Sequence, residues 1–383
     1  MSEEALSLAV LAPGELDFVP VPLPAPQAGQ FRVETLYSGL SAGTELTFYK
    51  GTNPYLHSGW DADQGVFRAD RPAQAYPIDR LGYMETARVV ESRTDVIDEG
   101  ALVAMAYGHR TAYTADPAVD RFVELPPDLD PVLGIYVAHM GPICANGLLH
   151  AAADLVGRDV RRLGDGVRGL NVLITGAGVV GLLSGLFCRL HGAAEVAVAD
   201  SSDRRLDAAS ALGFLAIDER QHEPWQLLKR RWLQGPADRG ADVAFQCRGR
   251  TAALVEALRS VRPQGSVIDL AFYQGGAPEL RLGEEFHHNG LSLRCAQIGR
   301  VPRGLAHVWS RRRLAGETLE LLEAFGSAIR DVLVTDVVPF AEAPRLIEEL
   351  AARERESIQA VFALEDQAGS ASPALAERSS TTS

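Results

Sequence analysis

Four cysteines in 383 residues are few, and Cys144, Cys188, Cys247 and Cys295 stand far apart with no CxxC pair among them. That spacing argues against a disulfide framework and against a four-cysteine structural zinc site. Each is expected to be a small buried hydrophobe in a reducing compartment. No apolar run reaches the roughly 18–20 residues that cross a bilayer, so no membrane partner is expected. The start, Met1–Ser2–Glu3–Glu4, has neither the basic nor the apolar stretch of a secretory signal, which makes the cytoplasm the expected location. Positive charge is also scarce: 37 Lys and Arg face 50 Asp and Glu, a net charge of −13. A chain of that sign lacks the basic field that a phosphate backbone requires, so no nucleic-acid partner is expected. Repeats at solenoid periods are absent as well.

What is present is a globular composition, 46% hydrophobic and 23% charged, on a chain long enough for a large core and more than one domain. Up to about residue 159 the pattern is of short strands, at 31–33, 87–90 and 101–107, between Gly, Pro and Asp punctuation. Residues 50–74 read as one long loop, of the kind that serves as a lid or binding loop. Residues 143–156 have helical spacing and small side chains. From residue 170 the pattern changes. Strands at 171–175, 195–199, 242–247 and 266–270 alternate with helices at 179–191, 204–212 and 251–261, which implies βαβ units and a parallel sheet covered on both faces. Beyond residue 302 come a helix at 315–325, a strand at 331–338, a helix at 343–352 and a last apolar stretch at 361–364. The fold class is therefore α/β, a doubly wound parallel sheet joined to a β-rich unit. The expected division is 1–155, 156–301, a return to the first unit over 302–364, and a disordered Ser-, Ala- and Thr-rich tail over 365–383.

Gly176–Ala177–Gly178–Val179–Val180–Gly181 fits G-x-G-x-x-G between an apolar strand and an apolar helix. The first glycine permits the tight turn, the second lets the backbone approach a pyrophosphate, and the third lets helix and strand pack closely. The helix start offers unpaired N–H groups and a positive dipole end to phosphates. Asp200 lies about 20 residues on, where a carboxylate accepts hydrogen bonds from ribose hydroxyls and repels a 2′-phosphate. NAD is thus preferred to NADP, although Arg204 and Arg205 follow closely. Cofactor contacts are expected from Gly176, Gly178, Val179, Val180, Gly181, Asp200 and Arg205, and from Cys247, Ala271 and Phe272.

A glycine turn in mid-chain behind a β-rich section resembles the medium-chain dehydrogenase/reductase superfamily, the alcohol dehydrogenase-like proteins. The resemblance runs from about Leu6 to Leu364. It rests further on Ser38–Gly39–Leu40–Ser41–Ala42–Gly43–Thr44–Glu45, on Gly82–Tyr83 before Val89–Val90, on Gly240–Ala241–Asp242–Val243, on Arg262–Pro263–Gln264–Gly265 and on Asp269–Leu270–Ala271–Phe272. It implies a GroES-like catalytic unit around a Rossmann domain, and pairing of two copies into a homodimer. The departures fall on the metal. Where zinc members carry Cys-Gly-Thr-Asp, this chain has Ser41–Ala42–Gly43–Thr44–Glu45. Gly-His-Glu becomes Gly82–Tyr83–Met84, and the Glu before Pro becomes Gly141–Pro142. A catalytic zinc takes about three protein ligands plus water, so no metal is expected. The pattern is similar to a divergent branch that includes bacteriochlorophyllide and sorbitol- or threonine-dehydrogenase-like proteins.

Without zinc, a positioned acid must polarise the carbonyl and move the proton. Thr44 matches the family's relay hydroxyl, Glu45 its aspartate beside the site, and Tyr83 the lost histidine. His109 and His139 are further proton carriers near neutrality. Each of these also has a structural alternative, as turn, packing or supporting residue. The adjacent His287 and His288, expected in a strand and so facing opposite sides, are candidates for a substrate edge, with Arg294, Arg300 and Arg303 as possible anion holders. The function these residues point to is a zinc-independent, NAD-dependent oxidoreductase that interconverts a secondary alcohol and a ketone on a polyol-, sugar- or cyclitol-like small molecule. The competing readings are a quinone or enoyl reductase, a redox-neutral epimerase or lyase with retained NAD, and a non-catalytic dinucleotide-binding protein.

Overall fold

The computed structural model describes residues 3–364; the tail expected to be disordered lies outside the described residues. Strands β1 (Glu3–Ala12) and β2 (Glu15–Leu23) form a hairpin. After β3 (Phe31–Gly39) and helix α1 (Ala42–Tyr49), a small hairpin of β4 (Gly59–Asp61) and β5 (Val66–Arg68) interrupts what reads in the sequence as one loop. Strands β6 (Glu85–Ser92), β7 (Leu102–Met105), β8 (Ala112–Ala115) and β9 (Val123–Glu124) follow, and β6, β7, β8 and β9 join β3 in one sheet. The two-residue period of β6 turns Ala87 and Val89 inward and leaves Arg88 and Val90 outside. The same period places Glu85 in the core.

Helix α2 (Met140–Val156) leads to the second sheet. Its strands are β10 (Asn171–Thr175), β11 (Glu195–Asp200), β12 (Leu215–Asp218), then, past a short hairpin of β13 (Leu233–Gly235) and β14 (Asp238–Arg239), β15 (Ala241–Gln246), β16 (Val261–Asp269) and β17 (Ser292–Cys295). The order β12-β11-β10-β15-β16-β17 is parallel throughout, the doubly wound 3-2-1-4-5-6 arrangement. Alternation along the strands feeds two apolar layers. Val172, Ile174 and Phe245 pack with α2, α3 (Val179–Leu190) and α4 (Asp203–Ala211). Leu173, Ala244 and Val267 pack instead with α5 (Pro224–Arg231) and α6 (Thr251–Ser260).

Three expectations are corrected here. His287 and His288 lie in a single helical turn, α7 (Glu285–His288), not in a strand. The helix expected at 315–325 is α8 (Arg311–Val332), started by the Ser310 side chain, which accepts from the Arg313 N–H. It runs on because Ile329 and Leu333 are both buried one turn apart, so the next strand, β18 (Val334–Pro339), begins three residues late. Cys144 and Cys188 are buried as expected, but Cys247 is only partly so and Cys295, on the edge strand β17, is exposed. After α9 (Ala343–Ala352), strand β19 (Gln359–Ala363) pairs parallel with β18 and antiparallel with β3, setting Phe362 opposite Ser38. The end of the described chain thus returns to the β-rich sheet. Among the described residues no helix is long and apolar enough to cross a membrane.

Candidate functional site

Four residues singled out in the sequence, Thr44, Glu45, Tyr83 and His109, come together beside the end of β3. His109 is fully buried between two carboxylates. Its Nε2 is 2.6 Å from Glu45 Oε2, and its Nδ1 is 2.6 Å from Ser38 Oγ. The Ser38 hydroxyl donates to Glu85 Oε1 at 3.1 Å, and Glu85 accepts further from the Met84 and Tyr107 N–H groups. With Ser38 donating to Glu85, both ring nitrogens of His109 donate, which is the imidazolium form. Burial alone would make His109 less basic; the charge and hydrogen bond of Glu45, with Glu85 behind, outweigh it and raise the pKa. Burial also raises the pKa of Glu85, against the pull of His109 and its hydrogen-bond donors. Gly82 makes room for the ring: its φ is +97°, and a Cβ there would lie 2.6 Å from His109 Cε1.

Glu45 ties this pair to the phenol of Tyr83. Its other oxygen accepts from the Ser41 N–H at 2.8 Å, at the start of α1, where a carboxylate is favoured by the helix dipole. Ser41 Oγ makes a short hydrogen bond with Tyr83 Oη, and the Thr44 hydroxyl is near enough to act on the same phenol. Burial raises the Tyr83 pKa, against those two hydroxyls and with help from Glu45 and Glu85, so the residue is a neutral O–H at physiological pH. Its ring meets that of His139 at 4.6 Å. His139 is not a proton carrier at neutral pH: burial, with Arg311 and Arg121 nearby, pushes its pKa down to about 4.

Helix α2 links this cluster to the glycine turn. His139 stands just before its first turn, and the Cys144 thiol, about 8 Å further along the axis, reaches the Val180 carbonyl at the start of α3. The Asn146 side-chain amide donates to the carbonyls of Ala296, Gln297 and Arg300 beyond β17. Gly147 lies against Leu270 at the end of β16. The turn therefore lies at the carboxyl ends of the strands, where doubly wound sheets bind ligands, and α2 runs between it and the Tyr83 cluster. The turn itself has the packing the motif demands. A Cβ on Gly181 would sit 1.8 Å from the Gly176 carbonyl oxygen, whereas one on Gly178 would meet open space. Asp200 is buried at the end of β11. It accepts from the Ala177 N–H at 2.8 Å, and from the N–H groups of Ser201 and Ser202. An anion at the α3 start and a ribose at Asp200 fit these groups.

Zinc does not fit the three positions where the resemblance puts its ligands. They carry a serine hydroxyl, a phenol and Gly141, and a Cβ on Gly141 would already lie 2.2 Å from Thr318 Cγ2. Among the described residues no three His, Cys, Asp or Glu side chains form a metal cage. His287 and His288 are not brought to this site. They sit on α7 beside α6, on the sheet face opposite α2. Arg294 pairs with Asp154 at 3.2 Å. Ser38, Ser41, Glu85 and Arg248 were not singled out as functional in the sequence. Arg248, which follows the expected Cys247, packs its side chain on Gly176 and pairs with Glu219.

A family model described as zinc-binding dehydrogenase matches residues 179–309. The D-guloside 3-dehydrogenase of Escherichia coli (strain K12) is 24% identical over 328 residues, covering 83% of this chain and 87% of that protein. Among solved structures, galactitol-1-phosphate dehydrogenase from Escherichia coli superposes with a TM-score of 0.71 at 15% identity, over 94% of this chain and 100% of the other. An alcohol dehydrogenase of Escherichia coli CFT073, complexed with cofactor NADH, gives 0.67 at 15% identity, over 94% and 99%. At such identities the structural likeness concerns the fold.

Proposed function

We propose that this chain, a member of the alcohol dehydrogenase-like medium-chain dehydrogenase/reductase superfamily, is a zinc-independent, NAD-dependent oxidoreductase that interconverts a secondary alcohol and a ketone on a polyol- or sugar-like molecule. The observation that carries the reading is the Tyr83 phenol, hydrogen-bonded to Ser41 and beside Thr44, at the site where a metal ligand would otherwise stand. The polyol preference is supported by the sugar- and polyol-dehydrogenase names among its relatives.

The nicotinamide, when bound, supplies the hydride acceptor for alcohol oxidation or the donor for ketone reduction. Gly176, Gly178, Gly181 and the N–H groups at the start of α3, Val179 and Val180 among them, would hold its pyrophosphate. Asp200 would hold the adenosine ribose, and Cys247, Ala271 and Phe272 at the neighbouring strand ends would shape the nicotinamide end. In reduction, Tyr83 donates its proton to the carbonyl oxygen as that oxygen gains charge, the job a Lewis acid does elsewhere. In oxidation, the phenol oxygen takes up the hydroxyl proton as its own proton passes to the Ser41 or Thr44 hydroxyl, which in the same relay releases its proton to bulk water beside the partly exposed Thr44. Glu45 and His109 are buried behind Ser41 and Tyr83. They are positioning residues that hold the Ser41 backbone and so the phenol.

NAD over NADP is supported by the ion pairs at the ends of β11 and β12. Arg205 lies 3.9 Å from Asp200, Arg220 pairs with Asp218 at 2.8 Å, and Arg248 pairs with Glu219. The Arg204 guanidinium donates to the Glu356 carbonyl at 2.7 Å. These guanidiniums are thus engaged, and the carboxylates among them would repel a 2′-phosphate. Asp200→Ala is expected to weaken NAD binding about 10- to 100-fold, the worth of a hydrogen bond to a charged group. Fluorescence titration of wild type and variant with NAD and NADP checks this. Unchanged NAD affinity, or tighter NADP binding by wild type, would remove the NAD assignment.

A further inference from the structure

A cleft of about 1180 Å³ is bordered by His139, whose ring meets that of Tyr83. It is lined by Arg121 beside β9, by Arg300 and Arg303 in the segment after β17, and by Arg311 and Arg312 at the start of α8. Two carboxylates, Asp120 and Glu124, share the lining. Asp120 is engaged by the Tyr113 hydroxyl and the Asp116 N–H. Among the described residues none of the five arginines makes an ion pair; Arg311 donates only to the Ile298 carbonyl at 3.1 Å. In a chain of net charge −13, five guanidiniums against two carboxylates make a strong local reversal of sign.

The placement is unfavourable for the free protein. Arg311 and Arg312 stand in the first turn of α8, where the helix dipole opposes positive charge. Arg121 faces Arg311 closely enough that, after burial, its charge is the next cause that lowers the Arg311 pKa, and both help keep His139 neutral. The neighbouring Arg313 has a structural account, since it stacks on Trp309 at 3.5 Å and donates to the Val308 and Arg161 carbonyls. Arg121 and Arg312 have no such role. An oxyanion in the cleft would satisfy these forked donors and relieve their mutual repulsion.

We propose that this cleft receives the anionic end of the substrate, a polyol or sugar carrying a phosphate or carboxylate, with Arg121 and Arg311 as its principal holders and Arg300 at the rim. The inference rests on the dehydrogenase reading above, and adds that the reacting hydroxyl lies at Tyr83 while the oxyanion lies in the cleft that His139 borders. Phosphate and carboxylate are read alike by guanidinium forks, so the test carries both.

The test is calorimetric titration of the full chain, with NAD present, by sorbitol, sorbitol 6-phosphate and gluconate. At least one anionic probe is expected to bind about 10- to 100-fold tighter than sorbitol, the factor one charge-assisted contact gives, and to lose that advantage in high salt. Preference for the phosphate assigns a phosphomonoester; equal gain for both assigns any oxyanion. Arg121→Gln/Arg311→Gln should abolish the advantage, and the exposed Arg300→Glu should reduce it, with NAD titration confirming that each variant is folded. Equal or absent binding of neutral and anionic probes, or an advantage that survives in Arg121→Gln/Arg311→Gln, would overturn the proposal. NADH absorbance in the same mixtures reports the dehydrogenase reading separately: selective anion binding without NADH would count against that reading and not against the anion site.

Discussion

Tyr83→Phe is expected to lower kcat by about 10²- to 10⁴-fold, the range of a lost general acid, while KM for the alcohol changes by less than about threefold. The substitution removes one oxygen and keeps the ring that packs on His139. It leaves Ser41 and Thr44 in place but facing an apolar edge, so stability should fall by only about 1 kcal/mol, the net worth of a typical hydrogen bond. Steady-state NADH formation across pH separates the outcomes. A kcat within about twofold of wild type, against the 10²-fold minimum expected of a general acid, would reduce Tyr83 to a packing residue and pass the proton to Thr44. A large loss confined to KM would mean that the phenol binds the alcohol without moving its proton.

His109→Leu should destabilise the fold by about 3–5 kcal/mol, because it leaves the buried Glu45 without its counter-charge and Ser38 Oγ without the ring N–H that donates to it. Removing both partners, in Glu45→Leu/His109→Leu, should cost less than His109→Leu alone, since no uncompensated charge remains. The same pair sets a pH dependence. The folded-state pKa of His109 is raised, so its stabilisation is full below the unfolded value of roughly 6.5 and is lost as pH rises through the folded value. The raised pKa of Glu85 acts in the same direction, because above roughly pH 4.5 the unfolded carboxyl gives up its proton before the buried one does. Wild-type stability in urea should therefore fall from neutral toward alkaline pH, and His109→Leu should flatten that fall. A wild-type curve that rises over this range would contradict the imidazolium assignment.

The parallel sheet and its glycine turn were legible because their signals are local: a two-residue or helical period, bounded by Gly and Asp. The supporting network around Tyr83 was legible only in part. Glu45 and His109 carry chemistry that draws attention in any sequence, but Ser38 and Glu85 are 47 residues apart and meet only through the register of β3 with β6. The inward-facing glutamate of β6, between apolar positions of the same period, was the one sequence signal that pointed to it. His287 and His288 were misread because a single helical turn is too short to show a period. The expected helix starts at 315 because the three arginines before it add no apolar period, although Ser310 ahead of them is a helix cap. Arg311 and Arg312 line the arginine-rich cleft, and sequence spacing alone does not bring them to Arg121.

The central claim is that the Tyr83 phenol, and no metal, polarises the reacting oxygen. Its most direct test is turnover by protein dialysed against a strong chelator, with metal content measured on the assayed sample. Retained NAD-dependent oxidation of a polyol, polyol phosphate or sugar acid, with far less than one zinc per chain, is the result predicted. One zinc per chain, with activity lost on chelation and restored by zinc, would contradict it.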